Sequence, residues 1–214
     1  MITSSKGSQK WIQICCNTKV SYFNQEIHKQ TGLPLDIEWL SPLAKNYTEY
    51  RDGAFLNKLG VKPSIPLIDF WPKRGPSWDA LGKVNDMPIL VEAKAHIAEA
   101  ISPQSRASDS SLKIIENSLN AVKNYLKVNP KIPWHLSFYQ YTNRIAHLYY
   151  LRVLNQIPAQ LLFVSFINDS EMNGPTCVET WEACYQILEA GLGLKPKHTL
   201  SQYIHHVMID TKMM

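Results

Sequence analysis

Polar and apolar residues alternate along two neighbouring stretches, 77–84 (SWDALGKV) and 87–96 (MPILVEAKAH). A period of two predicts strands, and Asn85-Asp86 between them predicts a two-residue hairpin turn; a four-residue loop over 84–87 keeps the same register. Opposed residues then have numbers that sum to a constant, so Asp79 stands directly across from Glu92. Alternation sorts the side chains. Trp78, Ala80, Gly82, Val84, Ile89, Val91, Ala93 and Ala95 share one face, expected to be core; Ser77, Asp79, Lys83, Glu92, Lys94 and His96 share the other, expected to be a site.

Elsewhere the pattern changes period. Leu112, Ile115, Leu119, Val122 and Leu126 recur at helical spacing and predict a helix over 110–127 with one buried stripe. A second helix is expected over 133–156, with Gln140, Asn143, Arg144 and His147 close together on one side and Leu148 and Leu151 toward the core. The apolar run 159–167 (AQLLFVSFI) reads as a strand buried on both faces. A helix over 177–190 and a last strand over 203–210 follow, and His205 and His206, being adjacent, point to opposite faces.

Before the hairpin, the expected elements are a short strand near 11–15, a helix over 21–29 stopped by Gly32, a connection over 33–42, a helix over 43–59 and a strand over 64–70. The chain then divides into an N-terminal arm with a helical extension, 1–42, and a main domain, 43–214. The order helix, three strands, two helices, strand, helix, strand predicts an α/β fold around a mixed sheet.

The hairpin carries the most distinctive chemistry. Directly opposed carboxylates have Cβ atoms roughly 5 Å apart and repel. One is protonated, or a cation lies between them, or the pair is splayed into water. Two carboxylates with a backbone carbonyl suit a hard divalent ion such as Mg²⁺. Lys94 lies about 6.5 Å further along the strand on the same face. The alternative is a surface hairpin whose Asp79, Lys83, Glu92 and Lys94 are solvated or paired with one another.

An Asp, a hairpin and then Glu-x-Lys on the next strand resembles the PD-(D/E)XK nuclease superfamily, over roughly 44–168. The proline that precedes the Asp in that motif is replaced here by Trp78. The resemblance implies a restriction-endonuclease-like core with a three-strand meander and further strands. It also implies Asp79, Glu92 and the Ala93 carbonyl as ligands of Mg²⁺ or Mn²⁺, and Lys94 as the residue that orients or activates the attacking water. In such nucleases the helix before the sheet often adds an acid; Glu49 is the match, with Asp52 second. The implied activity is phosphodiester hydrolysis, with DNA as substrate. The alternative is a catalytically silent nucleic-acid-binding or assembly protein on the same scaffold. A second acid-x-Lys, Asp210-Thr211-Lys212, has no upstream hairpin partner and reads as solvated tail.

The positive residues are compatible with that substrate. Lys73 and Arg74 in the loop WPKRGPS can approach a phosphate backbone, Arg106 is the cation of the serine-rich loop 102–111, and Gln140, Asn143 and Arg144 offer donors on one helix side. A net charge of +4 admits a polyanionic ligand without demanding one. Four cysteines lack the spacing of a zinc site or a secreted scaffold, which predicts reduced thiols and a cytoplasmic protein. No apolar run is long enough to span a membrane, and 1–16 reads as a short polar arm rather than a signal peptide. A homodimer would suit an enzyme that cuts both strands, but no segment marks an interface.

Overall fold

The computed structural model describes residues 6–214, so the first five residues of the expected N-terminal arm lie outside the described residues. Among the described residues, five strands form one mixed sheet flanked by seven α-helices. The strands are β1 Glu38–Ser41, β2 Ala80–Val84, β3 Met87–Lys94, β4 Gln160–Ile167 and β5 Ile204–Asp210. They lie in chain order across the sheet: β1, β2 and β3 form an antiparallel meander, and β4 and β5 add on parallel. No helix is long and apolar enough to cross a membrane among the described residues.

The hairpin register is the expected one. Ala80 pairs with Val91, Gly82 with Ile89 and Val84 with Met87. Asn85 takes φ 51° in the turn, a left-handed conformation that its short amide tolerates. Parallel strands need long crossovers, and the chain supplies them as helices. Helices α5 (Asp109–Leu126) and α6 (Tyr139–Tyr149) join β3 to β4; α7 (Val178–Leu192) joins β4 to β5.

Both sheet faces are covered. Helices α1 (Gly7–Asn17) and α2 (Val20–Thr31) lay Ile12, Cys15, Phe23 and Ile27 over Ala80, Ile89, Val91, Leu162 and Val207. On the opposite face α5, α6 and α7 pack Leu119, Ile145, Leu148 and Trp181 over Leu81, Leu90, Leu161 and Phe163. Every residue of β4 is buried, as its unbroken apolar run requires. The face of the hairpin that carries Glu92 is therefore core as well, since Leu81 and Leu90 share it. All four cysteines are free thiols.

Several expectations for the first eighty residues are corrected. Residues 11–15 belong to helix α1, because Ile12, Cys15 and Cys16 form a buried stripe at helical spacing. The connection 33–42 contains β1, so the segment 1–42 supplies the edge strand and two covering helices of the sheet. Trp39 lies across Gly82 of β2, where a Cβ would meet its ring at 3.0 Å. The helix expected over 43–59 is confined to α3 (Gly53–Leu59); Tyr47 at φ 49° and Asp52 at φ 51° interrupt it. The strand expected over 64–70 is instead a single helical turn, α4 (Leu67–Phe70), begun by Pro66, whose fixed φ suits a helix start. Trp78 also departs from the face of Ala80. A bend at Asp79 breaks the alternation, and Trp78 pairs with Tyr50 in an isolated bridge and packs against Phe55 and His147.

Candidate active site

The bend that displaces Trp78 also sets the carboxylate of Asp79. The β2–β3 ladder ends at Ala80 and Val91, so the next inward-facing N–H of β3, that of Ala93, has no strand partner. Asp79 Oδ2 takes its place, accepting that N–H at 2.6 Å. In a β-strand the N–H and C=O of one residue point to the same neighbour, which turns the Ala93 carbonyl to the side of Asp79. Glu92, paired with Phe163 of β4, stands on the helix-covered face and is 2% exposed.

A buried carboxylate needs partners. Glu92 has two. Oε1 accepts from the Lys94 ammonium. Oε2 accepts from Arg144 Nε at 2.6 Å and also faces Arg144 Nη2. The guanidinium is itself fixed: Nη2 donates to the Ser77 carbonyl at 2.7 Å, Nη1 donates to Asn143 Oδ1 at 3.0 Å, and the group lies 4.7 Å from the centre of the Trp78 ring. Helix α6 brings Arg144 here because all its residues from Tyr141 to Tyr149 are buried. Its polar side is thus turned inward onto the hairpin rather than outward to solvent.

The charges are unequal in their surroundings. Burial pushes Glu92 up, but Arg144 and then Lys94 outweigh it and hold this carboxyl below the usual range. Asp79 forms no ion pair with a described residue; burial first and the Glu92 charge second push it up to about 7. Burial acts to lower Lys94, yet Glu92 and Asp79 keep its ammonium charged to a higher pH than usual. His147, caged by Phe55, Trp71 and Trp78, is lowered by burial to about 3 and stays neutral.

The raised Asp79 has a consequence for stability. Between its ordinary value near 4 and about 7, the folded protein holds a proton that the unfolded chain has released. The contribution is fully present below about pH 4 and is lost as pH rises through 7. Asp79→Asn removes the group. The metal-free parent is expected to lose more melting temperature than this variant between pH 5 and pH 8 in differential scanning calorimetry. Parallel profiles would show that Asp79 is not held in this way.

Asp79, Glu92, Lys94 and Arg144 line a cleft of about 640 Å³ that Glu49, Arg74, Gln140 and Asn143 also line. Glu49 is in this cleft, though on irregular chain rather than a helix; it accepts from Gln9 Nε2 at 2.9 Å and Ser77 Oγ at 3.2 Å. Asp52, the second acid considered, accepts the backbone N–H groups of Arg74 and Gly75 at 3.1 and 2.8 Å and so shapes their loop. Lys73, Arg74 and Arg106 are exposed, whereas Asn143 and Arg144 are buried. No cluster of three His, Cys, Asp or Glu side chains suited to a metal is present among the described residues.

Sequence reasoning placed Asp79, Glu92 and Lys94 together and missed that Arg144 is the second partner of Glu92. The available signal was an arginine within an otherwise apolar helix. Ser77 was placed on the site face by the alternation, whereas Gln9, which bonds Glu49, and Tyr139, which lines the cleft, had no distinguishing pattern. No family model matches the chain, and no curated protein or solved structure shows significant similarity to it.

Proposed function

We propose that this protein is a Mg²⁺-dependent nuclease acting on DNA, built on a restriction-endonuclease-like core. The observation that carries the reading is the convergence of Asp79, the Ala93 backbone, Glu92 and Lys94 on one open cleft. The donor set fits a hard divalent ion: carboxylate oxygens of Asp79 and Glu92 and the carbonyl of Ala93, with Mn²⁺ accepted by the same oxygens. Asp79 in particular lies beside Glu92 with no cation paired to it among the described residues, and its pKa is raised to about 7, as expected of an acid whose anion lacks a counter-charge.

When bound, such an ion supplies charge neutralisation at a phosphate and acidifies water. The chain's own groups do the rest. Glu92 holds the Lys94 ammonium in place, and the side chain of Lys94, 12% exposed, lines the cleft where a phosphate would lie. There it donates hydrogen bonds to an attacking water and stabilises charge that develops on the phosphate oxygens. Arg144 fixes Glu92 and the Ser77 carbonyl, and thereby the bend that presents Asp79.

The test is cleavage of supercoiled, linear and single-stranded DNA and of RNA with Mg²⁺, Mn²⁺ or EDTA. Cutting is expected with either metal, none with EDTA, and none from Glu92→Ala. Cutting that survives EDTA or the substitution sinks the assignment.

A specific observation favours a second reading, a nucleic-acid-binding or assembly protein without turnover. Both oxygens of Glu92 are already paired, one with Lys94 and one with Arg144, and neither is free for an ion. This reading expects salt-sensitive DNA binding and no cleavage on any of those substrates.

A further inference from the structure

Two clefts open side by side on the surface that holds the carboxylates. One, of about 640 Å³, is lined by Asp79, Glu92 and Lys94; the other, of about 490 Å³, is lined by Lys73 and Ser111. Arg74, Ser105, Arg106 and Tyr139 line both, so the two adjoin and together offer a path across this surface. We propose that this path receives a single polynucleotide strand, with its backbone running between Arg74 and Arg106 and a base stacked on Tyr139. The inference rests on the nuclease reading for the chemistry at the carboxylates, though not for the binding itself.

Three observations support a strand over a duplex. The reacting groups are recessed: the side chain of Glu92 is 3% exposed and that of Lys94 12%. A volume of about 640 Å³ is that of a small-ligand pocket. A duplex, stiff over some 150 base pairs, cannot lower one phosphodiester into such a cleft without local melting, whereas a single strand bends at each nucleotide. Lys73, Arg74 and Arg106 are exposed and form no ion pair with an acidic side chain among the described residues, so their charge is free to meet a polyanion. The acids that share the cleft already have partners: Glu99 accepts from the Ala95 N–H and faces His96, and Glu49 accepts from Gln9 and Ser77. Tyr139 is half-buried where the two clefts adjoin, and an aromatic ring in a groove that also carries cations is how strands are held without sequence preference.

Fluorescence anisotropy in EDTA, where no metal-dependent cleavage occurs, tests this with a labelled oligo-dT and a blunt duplex of equal length. The single strand is expected to bind at least tenfold more tightly. Arg74→Ala with Arg106→Ala should weaken it about tenfold or more and lower the salt slope by about 1.4, roughly 0.7 per lost phosphate contact. Tyr139→Leu should weaken it about tenfold at unchanged salt slope, with Tyr139→Phe restoring binding. If the leucine variant does not fold, the arginine pair, both exposed, decides the matter. Equal or tighter binding of the duplex, or an arginine pair with parental affinity, overturns the proposal. Strand binding without Mg²⁺-dependent cutting would remove the nuclease reading and leave the path; cutting with a duplex preference would do the reverse.

Discussion

Lys94→Met is expected to lower Mg²⁺-dependent cleavage by roughly a thousandfold while leaving the fold in place. Methionine keeps the length and apolar stem of the side chain and removes only the ammonium. Glu92 then still has Arg144, bonded through Nε at 2.6 Å, so the buried carboxylate is not stranded. The effect should therefore fall on turnover. Removing a positive charge leaves Asp79 and Glu92 a more negative pair, so the concentration of Mg²⁺ needed for half-maximal activity should stay level or fall. A general weakening of the site would instead raise that concentration along with the loss of rate. Single-turnover kinetics over a Mg²⁺ series separates the two, and a variant that cuts at the parental rate would remove Lys94 from the chemistry.

The parts of this site that could be read from sequence are those set by local rules. The hairpin follows from a two-residue turn and an alternation of period two, which fixed the register from Ala80–Val91 to Val84–Met87 and so brought the end of β2 beside Glu92. Helix α5 and strand β4 were equally legible, one from a stripe of five apolar residues and the other from an unbroken run. What escaped depends on distant chain. Strand β1 has four residues and a register shift between Trp39 and Ser41, and it earns its place by the fit of Trp39 over Gly82, more than forty residues on. The position of Asp79 rests on a bend whose anchors are Tyr50 and Arg144, neither visible as a partner in the sequence.

The same limit explains Arg144. A polar stripe on a helix is more often solvated than buried, and periodicity locates the stripe without saying what faces it. Helix α6 is wrapped by the sheet on one side and by α5 on another, so its stripe had to be satisfied from within the protein. The hairpin glutamate satisfied it.

Arg144→Met should accordingly cost about 3–5 kcal/mol, because it leaves Glu92 buried with Lys94 alone and strips the Ser77 carbonyl of its donor. For a chain of this size that corresponds to a fall in melting temperature of roughly 10 °C. Two further measurements show whether the loss arises from the charge. Glu92 would lose the cation that now does most to hold its pKa down, so the deficit should be greatest above neutrality and shrink as acid protonates the carboxyl. Adding Glu92→Gln should then recover part of the stability, since an amide carries no charge to strand. The double-mutant cycle gives the coupling directly, and a value of at least 1.5 kcal/mol is expected for so close and so buried a pair. A single variant with parental stability at pH 8, or a cycle whose effects simply add, would mean that the guanidinium does not hold Glu92 and that the bend at Asp79 is fixed by Tyr50 alone.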